Sequence, residues 1–376
     1  MKSELNALCS YAKEKIAVSE LTKRNYISTE NMAPNRGGVA EAATLPTTEF
    51  TQRYRRGDVL VSNIRPYFKK IWLAKEEGGC SNDVLVFRAA DVCEPAFLYY
   101  VLADDAFFDY STSTAKGTKM PRGDKSAIMK YEVPVFERET QRKIAAILSA
   151  LDDKIELNRR INANLEQQAF AIFANLLENA CSGECRLAEI VEFGPKYTLC
   201  KNNVARCVEM KQLSTVGSFP LGWETQTYQG GTRFTNGDTL LARITPCLEN
   251  GKAAYVNFLE EGEIAFGSTE YIVMRSRGVY PAEFFYCLAR NPEFVDYAIK
   301  NLNGTSGRQR VSSETLGEYT LPRLSEKEMA IFRNAVSPSF EKIRNNGLEN
   351  IALAAVRDAL LPRLMSGEID VDDVKF

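Results

Sequence analysis

The chain has 376 residues, 45% of them hydrophobic, which is enough apolar material for two or three ordinary domains. A net charge of −2 and a pI near 5.7 exclude the overall basic character of many nucleic-acid binders, though not local basic patches. The absence of histidine excludes Ser-His-Asp and Cys-His catalysis and any histidine-liganded metal.

In chain order, residues 1–137 read as a mixed α/β lobe. Asp58 to Ser62 and Asp83 to Phe87 are short runs rich in valine and leucine, bounded by glycine turns, and predict buried strands. Pro95 to Phe108 is apolar at helical spacing and predicts one core helix. Residues 138–180 predict a long helix, because Arg138 to Glu178 contains neither proline nor glycine. Ile144, Leu151, Asn158, Leu165 and Ile172 recur every seven residues, with Leu148, Ile155 and Leu176 widening the stripe. Such a heptad row predicts a coiled coil, in which Asn158 either fixes register or lies solvated at the seam edge. Residues 181–324 form a second mixed lobe, with strands at Asp238 to Ala242 and Ala253 to Val256 and a helix at Pro281 to Ala289. Residues 325–376 carry a second long helix and a tail. Pro338 and Gly347 predict a kink or break in that helix, and Pro362 with Gly367 predict its end. The two helices are expected to pack antiparallel, using Ile343 and Ile351 from the second.

Other signatures are missing. Asn250-Gly251-Lys252 lacks the rest of a phosphate-binding loop, and no GxGxxG dinucleotide turn occurs. No Asn-Pro-Pro-aromatic or Asp-Pro-Pro-aromatic tetrapeptide, which aminomethyltransferases acting on DNA would carry, occurs. No apolar run is long enough for a membrane span. Nine scattered cysteines fit reduced thiols in a cytoplasmic protein. Cys181, Cys185, Cys200 and Cys207 are the one cluster worth testing as a zinc site, with looser spacing than paired CxxC motifs.

The chain also says one thing twice. Gly57-Asp58 recurs as Gly237-Asp238 and Pro66 as Pro246, both 180 positions on, while Tyr131-x-x-Pro134 recurs as Tyr319-x-x-Pro322, 188 on. A period near half the chain predicts two copies of one lobe plus connector about a pseudo-two-fold axis. Each lobe carries a glycine-rich, cationic loop before its exit helix. The first holds Lys116, Gly117, Thr118, Lys119, Arg122 and Lys125; the second holds Gly304, Thr305, Arg308, Gln309 and Arg310. Gly-Thr turns offer N–H groups and a hydroxyl to phosphate, and Arg and Gln suit guanine and adenine edges. The equivalent placement of both loops favours DNA contact over an ordinary solvated loop. Arg53-Tyr54-Arg55-Arg56 and Arg65 are further candidates, although a basic run before a strand is often just a charged edge.

Taken together, the chain resembles the specificity subunit of type I restriction–modification systems. The resemblance is most specific at Glu139 to Asn162, Thr239 to Lys252 and Leu353 to Glu368. It implies an α/β (α+β) fold with two target-recognition domains separated by two long antiparallel coiled-coil helices, each domain reading half of a split double-stranded DNA sequence. It implies no catalysis and no cofactor on this chain. Two methyltransferase subunits would bring S-adenosylmethionine, and a restriction subunit the motor and nuclease. Leu151, Asn158, Leu165, Ile172, Ile343 and Ile351 are the residues expected at the partner interface. The competing reading from another class is a coiled-coil adaptor whose lobes bind protein.

Overall fold

The computed structural model describes residues 2–180, 183–305 and 307–374. The chain divides into two compact units: Met1–Asp153 with Ala354–Phe376, and Lys154–Leu353. The division points fall inside two 41-residue helices, Arg138–Glu178 and Glu326–Ser366.

The first unit is built on two four-stranded sheets. One has the order Cys9–Tyr11, Val84–Ala89, Val59–Ser62, Ile71–Leu73, all antiparallel. The other runs Lys15–Ala17, Phe50–Tyr54, Gly78–Cys80, Tyr26–Ile27, with the last pair parallel. Gly78 has to be glycine: a Cβ there would stand 2.1 Å from the Asn25 carbonyl oxygen. The run expected as one helix over 95–108 is two helices, Pro95–Ala103 and Asp105–Ser113. Asp104 separates them. It is extended, and its carboxylate accepts the Ala106 N–H, so it caps the second helix. Phe97, Leu98, Phe107 and Phe108 fill the core, each contributing ~1.5–3 kcal/mol by burial.

The second unit repeats this plan. Val191–Phe193, Tyr271–Ser276, Thr239–Ala242 and Ala253–Tyr255 form the equivalent antiparallel sheet. Helices Ala282–Arg290 and Pro292–Lys300 repeat the helix pair. In the other sheet three strands correspond, Thr232–Phe234, Ala265–Gly267 and Val204–Val208. The fourth differs. The first unit adds Lys15–Ala17 beside Phe50–Tyr54, whereas the second adds Glu224–Thr227 at the opposite edge, beside Val204–Val208.

The expected break in the second long helix does not occur. Pro338 and Pro362 lie on exposed positions, and so do Asn334 and Asp358, whose carbonyls lose their helical partners where no burial penalty attaches to the loss. Gly347 is a packing position. A Cβ there would meet the Phe219 ring at 2.5 Å, so the residue lets that ring approach the helix backbone. The helix runs on through Pro362 and ends at Ser366, where the expected Gly367 follows at φ +74°.

Within the second unit the helices run antiparallel. Asn158 donates to Glu349 (2.7 Å) and Asn350 (3.0 Å), and Asn346 donates to Asn162 (2.7 Å). Asn158 is thus buried and bonded, not solvated at an edge. The seven-residue row fades: Ile144, Leu151 and Asn158 are buried, Leu165 is half-buried and Ile172 exposed. Glu166, Ala169 and Phe173 replace the row in the interior. A straight helix drifts ~20° per heptad, so a strict heptad row rotates off the buried face within a few repeats.

Glu166 yields a pH prediction. It accepts the Ser218 N–H at 2.6 Å in the interior, and burial raises its carboxyl above the ordinary range. A raised folded-state pKa means its contribution is complete below the unfolded pKa and is lost as pH rises through the folded value. Relative to the native chain, Glu166→Gln should therefore gain stability between about pH 5 and about pH 8. Denaturant melts at both pH values check this; a gap that stays constant refutes it.

Candidate nucleic-acid interface

Both candidate loops are small hairpins of the same construction. In the first, Lys116 and Arg122 exchange backbone hydrogen bonds at 2.8 and 2.9 Å around a turn opened by Gly117 at φ +98°. In the second, Asn303 and Arg310 do so at 2.9 Å each, with Gly304 at φ +125° and Gly307 at φ +87°. Ser306 lies outside the described residues. Each hairpin docks on the loop after the central strand. Arg65 N–H donates to Pro121 at 2.8 Å and Gly123 N–H to Asn63 at 3.1 Å. In the second unit Thr245 N–H donates to Gln309 and Val311 N–H to Arg243, both at 3.0 Å.

An arginine–carboxylate clamp anchors each hairpin. Arg122 pairs with Asp83 at 3.0 Å. Arg310 grips Glu270 more fully, with Nε at 2.9 and 3.0 Å from its oxygens and Nη2 at 2.5 Å. Hydrogen bonding from Arg310 lowers the Glu270 carboxyl's pKa. These two arginines therefore position the hairpins first. Asp83 and Glu270 were missed in the sequence, although their offset of 187 continues the repeat.

The tips are open. Lys119, Thr118, Gly304, Thr305 and Arg308 are exposed, and the side chains of Lys119 and Arg308 form no hydrogen bond or ion pair among the described residues. Lys116 is exposed but paired with Asp124 at 2.6 Å. Gln309 is half-buried, its backbone N–H on the Thr245 hydroxyl at 3.1 Å. Lys125 is exposed and lines a groove of about 380 Å³ with Lys13, Lys15, Phe50 and Gln52. The Arg53–Arg56 run divides: Tyr54 is buried, Arg53 pairs with Glu77 at 2.8 Å and Arg55 with Glu14 at 2.9 Å. The run is therefore the end of an inner strand and the turn after it, with local ion pairs.

The turn next to the first hairpin is strained. Arg65 and Lys69 take left-handed backbone at φ +50° and +51°, as do Asn35 and Arg36 at +53° and +59°. For arginine and lysine, which lack asparagine's tolerance of this region, each such residue costs ~1–2 kcal/mol. Between Arg65 and Lys69 stand Tyr67 and Phe68, 48% and 39% exposed.

Of the six residues expected at a partner interface, Leu151, Asn158 and Ile343 are consumed by packing within the chain. Leu165 and Ile351 are half-buried, and Ile172 is exposed. The helices expose further apolar residues that periodicity did not single out: Leu157, Ile331 and Val356. Of the cysteines, Cys181 lies outside the described residues, Cys200 is exposed, and burial raises the thiols of Cys185 and Cys207. Among the described residues no acidic or cysteine cluster is placed to hold a metal, and no helix is long and apolar enough to cross a membrane.

A repeated lobe, each copy presenting a clamped hairpin with an open tip, defines a duplicated protein with two like-built exposed surfaces. Comparison with known proteins agrees. Residues 4–167 match the family model described as the type I restriction modification DNA specificity domain. The chain is 24% identical to the HindI specificity subunit of Haemophilus influenzae over 84% of this chain and 87% of that protein. It is 24% identical to the MjaIX specificity subunit of Methanocaldococcus jannaschii over 74% of this chain and 70% of that one. A type I restriction–modification S subunit from M. genitalium shares the fold, with a TM-score of 0.56 over 97% of this chain and 96% of that one at 18% identity. Residues 4–167 thus match the type I restriction modification DNA specificity domain, and over most of its length the chain is similar to type I specificity subunits and shares the fold of one.

Proposed function

We propose that each lobe reads one half of a bipartite double-stranded DNA site, with the hairpin tips at Lys116–Lys125 and Asn303–Arg310 as contact points. The observation that carries this reading is the parallel construction of the two hairpins, each closed by a paired backbone exchange and held by an arginine–carboxylate pair, in lobes of different surface sequence. Two like-built readers with unlike tips fit two unlike half-sites. Exposed parts of the two long helices, including Ile172, Leu157 and Ile331, dock two methyltransferase subunits that bind S-adenosylmethionine. A restriction subunit with motor and nuclease joins that cytoplasmic assembly, and the specificity chain itself takes no cofactor and performs no catalysis.

The test is separable specificity. Arg308→Ala should alter one half-site and leave the other intact, because well-separated contacts contribute independently. If Arg308 reads a base, its loss costs ~1–3 kcal/mol and relaxes one position; if it holds phosphate, affinity falls evenly and the salt slope shrinks. Arg310→Ala should weaken the same half-site by releasing the hairpin from Glu270. Sequencing of methylated sites decides it. Equal relaxation of both half-sites by Arg308→Ala excludes two independent readers.

A further inference from the structure

We propose that the Pro66–Phe68 turn is a nonpolar DNA-contact element of the first lobe, in which Tyr67 and Phe68 press against base faces or base methyls beside the first hairpin. This rests on the DNA-reading role proposed above.

Four observations converge on the turn. The two rings lie 4.8 Å apart and stand half-exposed, where a structural aromatic pair would be buried. Four of the five non-glycine left-handed residues among the described residues meet there: Asn35, Arg36, Arg65 and Lys69. The strain is held by backbone bonds from Asn35 N–H to Phe68 O (2.8 Å) and Arg36 N–H to Lys69 O (2.9 Å), and by Lys69 on Asp105 (2.8 Å). Strain that the surroundings enforce on an exposed segment marks a functional surface more often than a packing accident. The turn is tied to the hairpin by the Arg65–Pro121 bond.

Charge selects DNA as the occupant. Lys70 Nζ stands 5.9 Å from the Phe68 ring centre, and Arg65 and Lys69 flank the rings in sequence; Arg36 and Lys69 pair with Asp105 and Arg122 with Asp83, which leaves Arg65 and Lys70 outside those ion pairs. Arg65 also keeps a buried Nε without a partner. Aromatic side chains framed by cations suit a polyanion that presents apolar base surfaces; some DNA-binding proteins wedge apolar side chains between base steps in this way. The element belongs to the first lobe alone. The equivalent positions in the second are Cys247 and Leu248, and Leu248 is buried in its core.

The experiment uses the full chain co-purified with its methyltransferase partner. Tyr67→Ala/Phe68→Ala, and Tyr67→Ser alone in case the double variant folds poorly, are compared with the native chain on a cognate duplex. Affinity should fall by about 5- to 100-fold for the double variant, as loss of base–aromatic contact does, with the dependence on salt unchanged and the second half-site still selected. Two arms separate the contact types. An increase in 2-aminopurine fluorescence that only the native chain produces reports unstacking, and a loss reproduced by uracil-for-thymine substitution reports a methyl contact. Undiminished affinity in both variants, a reduced salt slope, or loss of the methyltransferase partner overturns the proposal; the last outcome makes the rings a protein contact. A native complex without sequence-dependent binding would instead overturn the DNA-reading role itself.

Discussion

Asp238→Ala should cost the second unit about 3 kcal/mol or more, the usual penalty for leaving a buried ion pair without one member. The Asp238 carboxylate is fully buried. It accepts hydrogen bonds from Arg275 Nε at 2.7 Å, Thr235 N–H at 2.8 Å and the Tyr197 hydroxyl at 2.9 Å. Alanine strands all three donors. The Arg275 side chain is one-third exposed, so water offsets part of its loss and the lower end of the 3–5 kcal/mol range applies. Asp238→Asn keeps an acceptor and should cost less. The readout is built in, because the chain has two tryptophans, Trp72 in the first unit and Trp223 in the second. Trp223 stacks on Phe258 at 4.9 Å and reports the fold around it. With Trp72→Phe as background, denaturant unfolding followed at Trp223 should shift to lower denaturant. A shift worth under about 1 kcal/mol would show that Arg275 finds another partner or is solvated without loss. Asp58→Ala tests the same device in the first unit, where Asp58 accepts from Arg88 at 2.7 and 2.8 Å and from Arg55 N–H at 2.8 Å.

That pair also shows what the sequence could and could not convey. Gly57-Asp58 and Gly237-Asp238 stood out as a repeat because the turn needs both residues: glycine at φ +90° and +89°, and a carboxylate to close on the backbone three residues earlier. Local chemistry of that kind is legible. So were the strands at 59–62 and 239–242 and the span of the first long helix, since apolar runs and a proline-free stretch are local signals. What failed depended on neighbours far along the chain. Gly347 read as a helix breaker because nothing in its vicinity announces Phe219. Asn158 stayed ambiguous until Glu349 and Asn350 were beside it. The loops were found as cationic turns, but Asp83 and Glu270, which decide that Arg122 and Arg310 are anchors, lie some 40 residues upstream. The Tyr67–Phe68 turn is not legible in the sequence, because left-handed arginine and lysine have no sequence signature.

Lengthening both long helices should change the spacing of the DNA site without changing what is read. The place to insert is where the units divide, after Asp153 and after Leu353, because the exit of the first helix near Asn175–Leu177 packs into the core of the second unit. Four residues added to each helix extend it by ~6 Å at 1.5 Å per residue and turn it by ~400°, close to one full turn. The buried faces on either side of the insertion then keep nearly their original direction. If the helices set the separation of the half-sites, the preferred gap should lengthen by about one or two base pairs, each advancing ~3.4 Å. Neither half-site should change, because the hairpins, their clamps and the Tyr67–Phe68 turn are untouched. Two residues in each helix would rotate the following segment by ~200° and turn its buried stripe to solvent, so binding should be lost. Sequencing the methylated sites of both variants in the assembled complex gives the answer directly. An unchanged gap in a well-folded four-residue variant would place the ruler in the partner subunits instead.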